Sequence, residues 1–136
     1  ATAFGALTIV NRVEEYGVTV KEVVNCGGIA QKNPLLMQIY ADVFNRPMLV
    51  SDSLQTCALG AAIFGAAAGG LHPDMERAMQ KMSAPASKVY YPQNDAAAVY
   101  KDMYDIYKTI HDAFGSQNGV LSNIMKKLAD LRTNCK

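Results

Sequence analysis

The chain has 136 residues, half of them hydrophobic, and a formal net charge of +1. This length fits one domain or a piece of one, and the small charge excludes an electrostatic argument for binding nucleic acid or an anionic membrane. The three cysteines, Cys26, Cys57 and Cys135, match no zinc-binding or CxxC spacing, so the sequence predicts reduced thiols in a cytoplasmic protein, with Cys26 and Cys57 as small core residues.

The first predicted element is a helix over residues 3–16, because apolar residues from Phe4 to Tyr16 recur at helical spacing. Gly17 follows at the position of a helix-terminating glycine. The apolar pattern is already present at residues 1–5, with no initiator methionine and no capping residue. We therefore expect the chain to be a piece cut from a larger protein.

A strand and a helix follow, separated by two adjacent glycines. Residues 20–26 form a short segment rich in β-branched side chains, which indicates a strand that ends at the glycine pair 27–28. Asn33 is a suitable capping residue and Pro34 a suitable first helical residue. The pattern predicts a helix from there to about residue 44.

A second strand at residues 48–50 and an Ala/Gly-rich helix come next. The apolar run 57–71 is 15 residues long, whereas a membrane span needs about 20. We therefore expect a buried helix, capped by Thr56, in which Gly60, Gly65 and Gly69 permit close packing. The order of elements predicts an α/β fold with sheet and helices in layers, but it leaves open whether the two strands are parallel.

The second half of the chain is predicted to be mainly helical. Three further helices and one extended segment are expected, at residues 72–82, 95–114, 120–131 and 88–92. In the long helix Tyr100, Tyr104 and Tyr107 follow helical spacing, so we expect them to pack in the core. The alternative is an interface with another part of the protein or with a second subunit.

The two histidines, His72 and His111, have no cysteine or carboxylate partner at metal-ligand spacing. We expect His72 to be a capping or surface group at the start of a helix. His111 lies beside the apolar side of the long helix, so we expect a packed or partly buried side chain. The sequence therefore predicts no metal site.

Residues 25–34, between the first strand and the next helix, offer the best candidate for a binding site. Two adjacent glycines let a ligand approach the backbone closely, and a helix N-terminus offers unpaired N–H groups that suit phosphate. Ligands also bind at the carboxyl ends of strands in α/β sheets. The segment matches neither GxGxxG nor GK[ST], so these residues alone leave open both a nucleotide or phosphate site and a plain structural turn.

Residues 27–47 resemble the adenosine-binding motif of the FGGY family of carbohydrate kinases. The shared pattern is a glycine pair followed by Ala41-Asp42 and Pro47. Residues 53–64 are similar to the loop and Ala/Gly-rich helix that come next in that family. The variant at residues 32–34 and the tyrosine-rich tail resemble the ribulokinases within it, and the resemblance covers essentially the whole chain.

The resemblance implies part of an actin/hexokinase-like (ribonuclease H-like) ATPase lobe with additional C-terminal helices. Residues 1–71 would form the nucleotide-binding lobe segment, and residues 72–136 a helical extension packed on it. ATP would lie between two lobes with Mg²⁺ on its phosphates. The kinase would transfer the γ-phosphate to L-ribulose, giving L-ribulose 5-phosphate in arabinose catabolism.

The resemblance also implies roles for four residues of the motif. Gly27 and Gly28 would lie against the adenosine and the proximal phosphates, because their missing side chains make room there. Lys32 and Asn33, on the first turn of the following helix, would line the adenine end of the site.

The catalytic aspartate and the sugar-binding residues of the family lie upstream of the matched segment. The resemblance therefore implies that this piece alone phosphorylates nothing. Asp42 falls on the helix after the glycine pair, so we expect it to be a capping or surface carboxylate. Two alternatives stay open: another kinase of the family, acting on xylulose, glycerol or gluconate, and a non-catalytic α/β binding module. The sequence does not decide whether the protein is a homo-oligomer.

Overall fold

The computed structural model describes residues 1–86, 88–116 and 119–134. Helices dominate the described part, and a small sheet is formed by three short strands. The elements in chain order are α1 (Thr2–Glu15), β1 (Val23–Asn25), α2 (Gly28–Lys32), α3 (Pro34–Phe44), β2 (Met48–Val50), α4 (Thr56–Ala68), α5 (Met75–Met82), β3 (Lys88–Tyr90), α6 (Asn94–Gly115) and α7 (Ile124–Asn134).

The strand β2 lies at the centre of the sheet, between β1 and β3. β1 pairs with β2 in parallel, with Val24 opposite Leu49, which decides the question that the sequence left open. The chain crosses between these two strands through α2 and α3, as parallel strands require a crossover connection. β3 pairs with β2 in the antiparallel direction, with Val89 opposite Leu49, so the sheet draws one strand from the second half of the chain.

The core lies on the face of the sheet that carries Met48 and Val50, the largest fully buried side chains of the described part. Phe4 of α1 and Phe44 of α3 pack with Met48 in the main cluster. Alternation along the strands places Val24, Leu49 and Val89 on the opposite face, where Val24 and Val89 are exposed. The described helices therefore cover one face of the sheet well and the other poorly.

The tyrosines of α6 join this core, as the sequence predicts. Their rings lie 6.3 Å (Tyr100), 5.9 Å (Tyr104) and 5.5 Å (Tyr107) from the ring of Phe4, measured between centroids. The Tyr104 hydroxyl is also within hydrogen-bond distance of the Thr8 hydroxyl, at 3.1 Å. These contacts attach α6 to α1 by aromatic packing together with a polar contact.

The prediction of a buried Ala/Gly-rich helix is wrong for the described chain. In α4 only Ile63 is buried, whereas Phe64 is 67% exposed. A Cβ atom added at Gly60 or Gly65 would meet open space, so neither glycine permits a close contact here. Thr56 is the first helical residue rather than the cap, and its hydroxyl donates to the Ser53 carbonyl. No described helix has both the length and the apolar character needed to cross a membrane.

Several side chains lie in other surroundings than the sequence predicts. Cys26 and Cys57 are free thiols but are exposed, not core residues, and Cys135 lies outside the described residues. Asp74 caps α5 by accepting the Arg77 N–H, so the half-buried His72 before it is not the cap.

His111 is exposed rather than packed. Its Nδ1 lies 3.1 Å from an Asp112 oxygen, and its ring contacts the ring of Tyr107 at 5.9 Å between centroids. The last helix begins at Ile124, later than the predicted residue 120.

Candidate functional site

The glycine pair lies where β1 ends and α2 begins. Gly27 is the N-terminal flanking residue of α2 and has φ 89° and ψ 172°, a conformation that side chains rarely adopt. Gly28 is the first residue of the helix, and a Cβ atom added to it would meet nothing within 4 Å. The backbone therefore requires glycine at position 27, whereas nothing in the chain's own packing requires it at position 28.

Lys32 and Asn33 do not lie on the first turn of one continuous helix, as the sequence suggests. α2 is only five residues long and ends at Lys32, and a new helix, α3, begins at Pro34. Asn33 caps α3, since its Oδ1 accepts the Leu36 N–H at 3.0 Å, which confirms the predicted cap. Lys32 and Asn33 are both exposed and follow the glycine pair by one short helix.

A shallow cleft of about 280 Å³ lies beside the glycine turn. Its lining combines the end of β1 and the residue after it with side chains of α2 and α3. The residues are Thr2, Asn25, Cys26, Ile29, Ala30, Leu36, Met37 and Tyr40. Most of this surface is apolar, with an amide and a thiol at its edge, which suits a flat ring more than a highly charged group.

Gln31 connects the glycine turn to the loop after β2. Its Nε2 donates to the carbonyls of Ser51 and Ser53, at 3.3 Å each. The Ser51 N–H donates to the Asn25 carbonyl at 2.9 Å. The carboxyl ends of the parallel strands β1 and β2 are therefore held together by hydrogen bonds. The sequence does not predict this role for Gln31.

A second cleft, of about 390 Å³, is lined in part by Gln31. Its remaining lining residues are Val50, Asp52, Leu54 and Lys88. The two clefts lie at the carboxyl ends of β1 and β2, where ligands bind in open α/β sheets. The sequence predicts a candidate site at residues 25–34, but it does not predict that the loop after β2 takes part in it.

Asp42 is a buried residue, not the surface carboxylate that the sequence suggests. It is 4% exposed, and its Oδ1 accepts two hydrogen bonds, from Gln38 Nε2 at 2.9 Å and from the Gln93 N–H at 2.8 Å. Gln93 immediately precedes α6. Asp42 therefore fastens α3 to the start of α6, because a buried polar atom needs partners that only this packing supplies.

Arg46 forms hydrogen bonds that hold the segment between α1 and β1 against the rest of the fold. Its Nη1 donates to Glu14 Oε1 at 3.0 Å and to the Val20 carbonyl at 3.1 Å. The hydrogen bond from Arg46 holds the pKa of Glu14 below its usual value. Because Arg46 precedes β2, these contacts lie at the end of the sheet opposite the glycine turn.

No group of three or more His, Cys, Asp or Glu side chains that could hold a metal ion occurs in residues 1–86, 88–116 and 119–134. Asp52 lies in the second cleft without further carboxylates among its lining residues. Mg²⁺ needs oxygen ligands and keeps several waters, so it is usually bound through substrate phosphates as well as carboxylates.

Residues 1–69 match the profile described as the FGGY family of carbohydrate kinases, C-terminal domain. The chain is 42% identical to the ribulokinase of Halalkalibacterium halodurans over 98% of its length, and 40% identical to that of Bacillus licheniformis over 97%. It spans 24% of each of these curated relatives.

The fold is also similar to solved sugar kinases. The xylulose kinase of Lactobacillus acidophilus has a TM-score of 0.61 and 29% identity over 76% of this chain and 21% of its own. The gluconate kinase of the same organism has a TM-score of 0.60 and 30% identity, with the same coverage. The xylulose kinase of Rhodospirillum rubrum has a TM-score of 0.69 at 21% identity, over 84% of this chain and 23% of its own, which shows likeness of fold alone.

Proposed function

The chain belongs to the FGGY family of carbohydrate kinases, and from this premise we propose that it supplies the adenosine side of the ATP site in an L-ribulose kinase. In this proposal residues 1–71 are the nucleotide-binding segment of an actin/hexokinase-like lobe, and residues 72–136 are a helical extension packed on it. The enzyme transfers the γ-phosphate of ATP to L-ribulose, with the sugar bound mainly by the upstream part of the protein.

The observation that carries the nucleotide proposal is the geometry of the glycine pair. Gly27 needs its positive φ to turn the chain out of β1, which a plain structural turn explains fully. Gly28 has an ordinary helical backbone and open space where a side chain would lie, so the fold of this chain does not explain it. A ligand that approaches the backbone at Gly28 supplies the missing reason.

The cleft beside the glycine turn suits the adenosine end of ATP. Its apolar lining, from Ile29 to Tyr40, offers a surface for a flat ring. Asn33 uses its Oδ1 to cap α3, so we expect its NH₂ group, rather than its oxygen, to face the base. Lys32 follows in α2 with an exposed ammonium group, which we expect to remain mobile until nucleotide binds.

This chain is not proposed to perform the phosphoryl transfer by itself. Bound ATP supplies the reactive phosphoryl group, and Mg²⁺ travels on its phosphates, since Mg²⁺ is usually bound through substrate phosphates together with one or two carboxylates. Asp42 is occupied by two hydrogen bonds inside the fold, so it is a poor candidate for a catalytic base. We therefore expect the base in the part of the protein that this segment does not include.

L-Ribulose is the preferred substrate in this proposal because the ribulokinase relatives are 37–42% identical over nearly the whole chain. The xylulose and gluconate kinases named above are 29% and 30% identical over a smaller share. A xylulose or gluconate kinase is the second candidate on that basis. The free thiols Cys26 and Cys57 are in keeping with the reducing cytoplasm that we expect for the enzyme.

Substitution of Gly28 by valine in the full-length protein tests the nucleotide proposal. A branched side chain at this position would occupy the space that ATP is proposed to use, so we expect the Kd for ATP to rise at least about tenfold, equivalent to about 1.4 kcal/mol. The measurement is isothermal titration calorimetry with a non-hydrolysable ATP analogue, with L-ribulose affinity measured in parallel and expected to stay unchanged.

Gly65→Val is the matched control. Gly65 is also an exposed helical glycine with open space around its Cβ position, so valine there adds the same side chain to the surface of a helix away from the proposed site. Normal ATP affinity in Gly28→Val would show that the glycine pair is only a turn. Equal losses in both variants would indicate a general effect on folding and would also count against the site.

A further inference from the structure

Helix α2 is held in place by few contacts. It has five residues, of which only Ala30 is buried, and a helix this short is unstable in water without tertiary contacts. Ala30 packs with Met37 and Val50. Because hydrophobic contact is non-directional, the packing of Ala30 does not by itself fix how α2 is rotated. The orientation of the glycine turn therefore depends on a further contact.

The side chain of Gln31 supplies this contact. Its Nε2 donates to the carbonyls of Ser51 and Ser53, which uses both N–H groups of the amide. In the part of the chain that the structure describes, Gln31 is the one residue of α2 whose side chain forms hydrogen bonds. Hydrogen bonds are directional, and Gln31 is half-buried. The pair therefore fixes the rotation of α2 that the apolar packing leaves free.

The loop that accepts these hydrogen bonds is held by contacts of its own. The Ser53 N–H donates to Ser51 Oγ and the Gln55 N–H donates to Ser53 Oγ, at 3.3 Å each. The Thr56 hydroxyl donates to the Ser53 carbonyl at 3.2 Å. The Ser51 N–H donates to the carbonyl of Asn25, the last residue of β1, at 2.9 Å. The loop is therefore a fixed anchor, and α2 is the element that is secured to it.

We propose that Gln31 is a positioning residue for nucleotide binding. This inference rests on the proposed function, in which ATP approaches the backbone at Gly28. Gln31 lies three residues after Gly28 on the same short helix, so its hydrogen bonds orient the glycine turn before ATP arrives. A site preorganised in this way loses less conformational freedom on binding. Without these hydrogen bonds only a fraction of the molecules holds α2 in the binding orientation, and the apparent Kd for ATP rises in inverse proportion to that fraction.

Gln31→Met in the full-length protein tests the proposal, because methionine has a similar length and no N–H donor. We expect the KM for ATP to rise about three- to tenfold, the range expected for a hydrogen bond of ordinary strength. The kcat and the KM for L-ribulose should stay unchanged, because ATP itself holds α2 once it is bound. Steady-state kinetics measure these three constants, and titration with a non-hydrolysable ATP analogue measures the binding step alone.

Gln80→Met is the matched control. Gln80 is an exposed glutamine of α5 that donates to Glu76 one turn earlier in the same helix. The substitution removes the same side-chain amide from a helix that takes no part in the proposed site. We expect it to leave the KM for ATP at the natural value.

Amide hydrogen exchange distinguishes a loosened α2 from a loosened domain. The Asn33 N–H donates to the Ile29 carbonyl at 3.0 Å, so its exchange reports the opening of α2. We expect this amide to exchange about three- to tenfold faster in Gln31→Met than in the natural protein, and a saturating ATP analogue to remove the difference. The amides of α6 should exchange at their natural rates in both proteins.

Three results would overturn the positioning role: natural ATP affinity in Gln31→Met, equal losses of ATP and L-ribulose affinity, or exchange that speeds up in α6 as much as in α2. The proposed nucleotide site can fail or stand separately. Weakened ATP binding in Gly28→Val together with natural binding in Gln31→Met would remove the role of Gln31 and leave the site in place. Natural ATP affinity in both variants would remove both.

Discussion

At the scale of single residues, the two glycines of the turn need different explanations. Gly27 is explained by its φ of 89° alone. Gly28 has helical geometry and open surroundings, so no contact within the described chain requires glycine there. The proposed ATP site would supply the reason, and the Gly28→Val variant tests it.

Asp42, unlike Gly28, is explained by contacts within the fold. Asp42→Ala would leave the Gln93 N–H without its acceptor and the Gln38 amide with the Tyr91 carbonyl alone, and we expect a loss of about 1–3 kcal/mol in the free energy of unfolding. Urea denaturation of the full-length protein, followed by a signal from this domain, measures the change.

Asp105→Ala is the matched control for Asp42→Ala, because Asp105 lies exposed on α6 and should change stability by less than about 0.5 kcal/mol. Asp42→Asn keeps an acceptor oxygen and should fall between the two. Equal stability of the Asp42→Ala variant and the natural protein would show that the hydrogen bonds to α6 contribute little.

At the scale of elements, the position of β1 depends on contacts at both of its ends. Gln31 and Ser51 hold its carboxyl end against β2. At its amino end Arg46 reaches Glu14 and the Val20 carbonyl. A three-residue strand has little stability of its own, so these contacts determine where the glycine turn is presented.

Because Glu14 forms an ion pair with Arg46, we expect the free energy of unfolding to depend on pH. The hydrogen bond from Arg46 lowers the folded pKa of Glu14. The stabilisation of the fold by ionised Glu14 is therefore fully present above the usual glutamate pKa. It is lost as the pH falls through the lowered value. Glu14→Gln should therefore destabilise the protein at pH 7 and have a smaller effect at about pH 3, closer to the pH range in which the contribution is lost.

Urea denaturation of the natural protein and of Glu14→Gln at these two pH values measures that dependence. Glu22→Gln is the control, since Glu22 is an exposed glutamate close to the same strand. A difference between Glu14→Gln and the natural protein that is as large at pH 3 as at pH 7 would assign the effect to packing rather than to charge.

At the scale of the whole molecule, several surfaces of this chain are those of a part rather than of a closed body. The chain spans 24% of its curated relatives, one face of the sheet carries the exposed Val24 and Val89, and α4 has Phe64 exposed. Apolar surface of this extent is typical of regions that contact other parts of a protein.

The substrate belongs to this scale, because the sugar pocket is proposed to lie outside the segment. We expect the full-length protein to phosphorylate L-ribulose with a higher kcat/KM than xylulose, gluconate or glycerol, and the 136-residue segment alone to give no product. A coupled assay that follows ADP release over this panel measures both. Higher kcat/KM for xylulose or gluconate would reassign the substrate, and absence of turnover on all four would contradict the proposed activity.

The sequence by itself determined the local features, because their causes lie within a few residues. It predicted the bounds of α3 and β2, the Asn33 cap and the glycine that ends α1, since side-chain capping, proline geometry and positive φ act over one turn. It also predicted the tyrosine packing of α6, because helical spacing alone places the three rings on one side.

Only the tertiary structure decided features that depend on partners distant in the chain. The burial of Asp42 needs Gln93, 51 residues away, and the parallel pairing of β1 with β2 needs their crossover. The short helix α2 had no periodic signal of its own, since five residues are too few to show one. The exposure of the Ala/Gly-rich helix had none either, because hydrophobic composition records how readily a segment is buried but not which surface buries it.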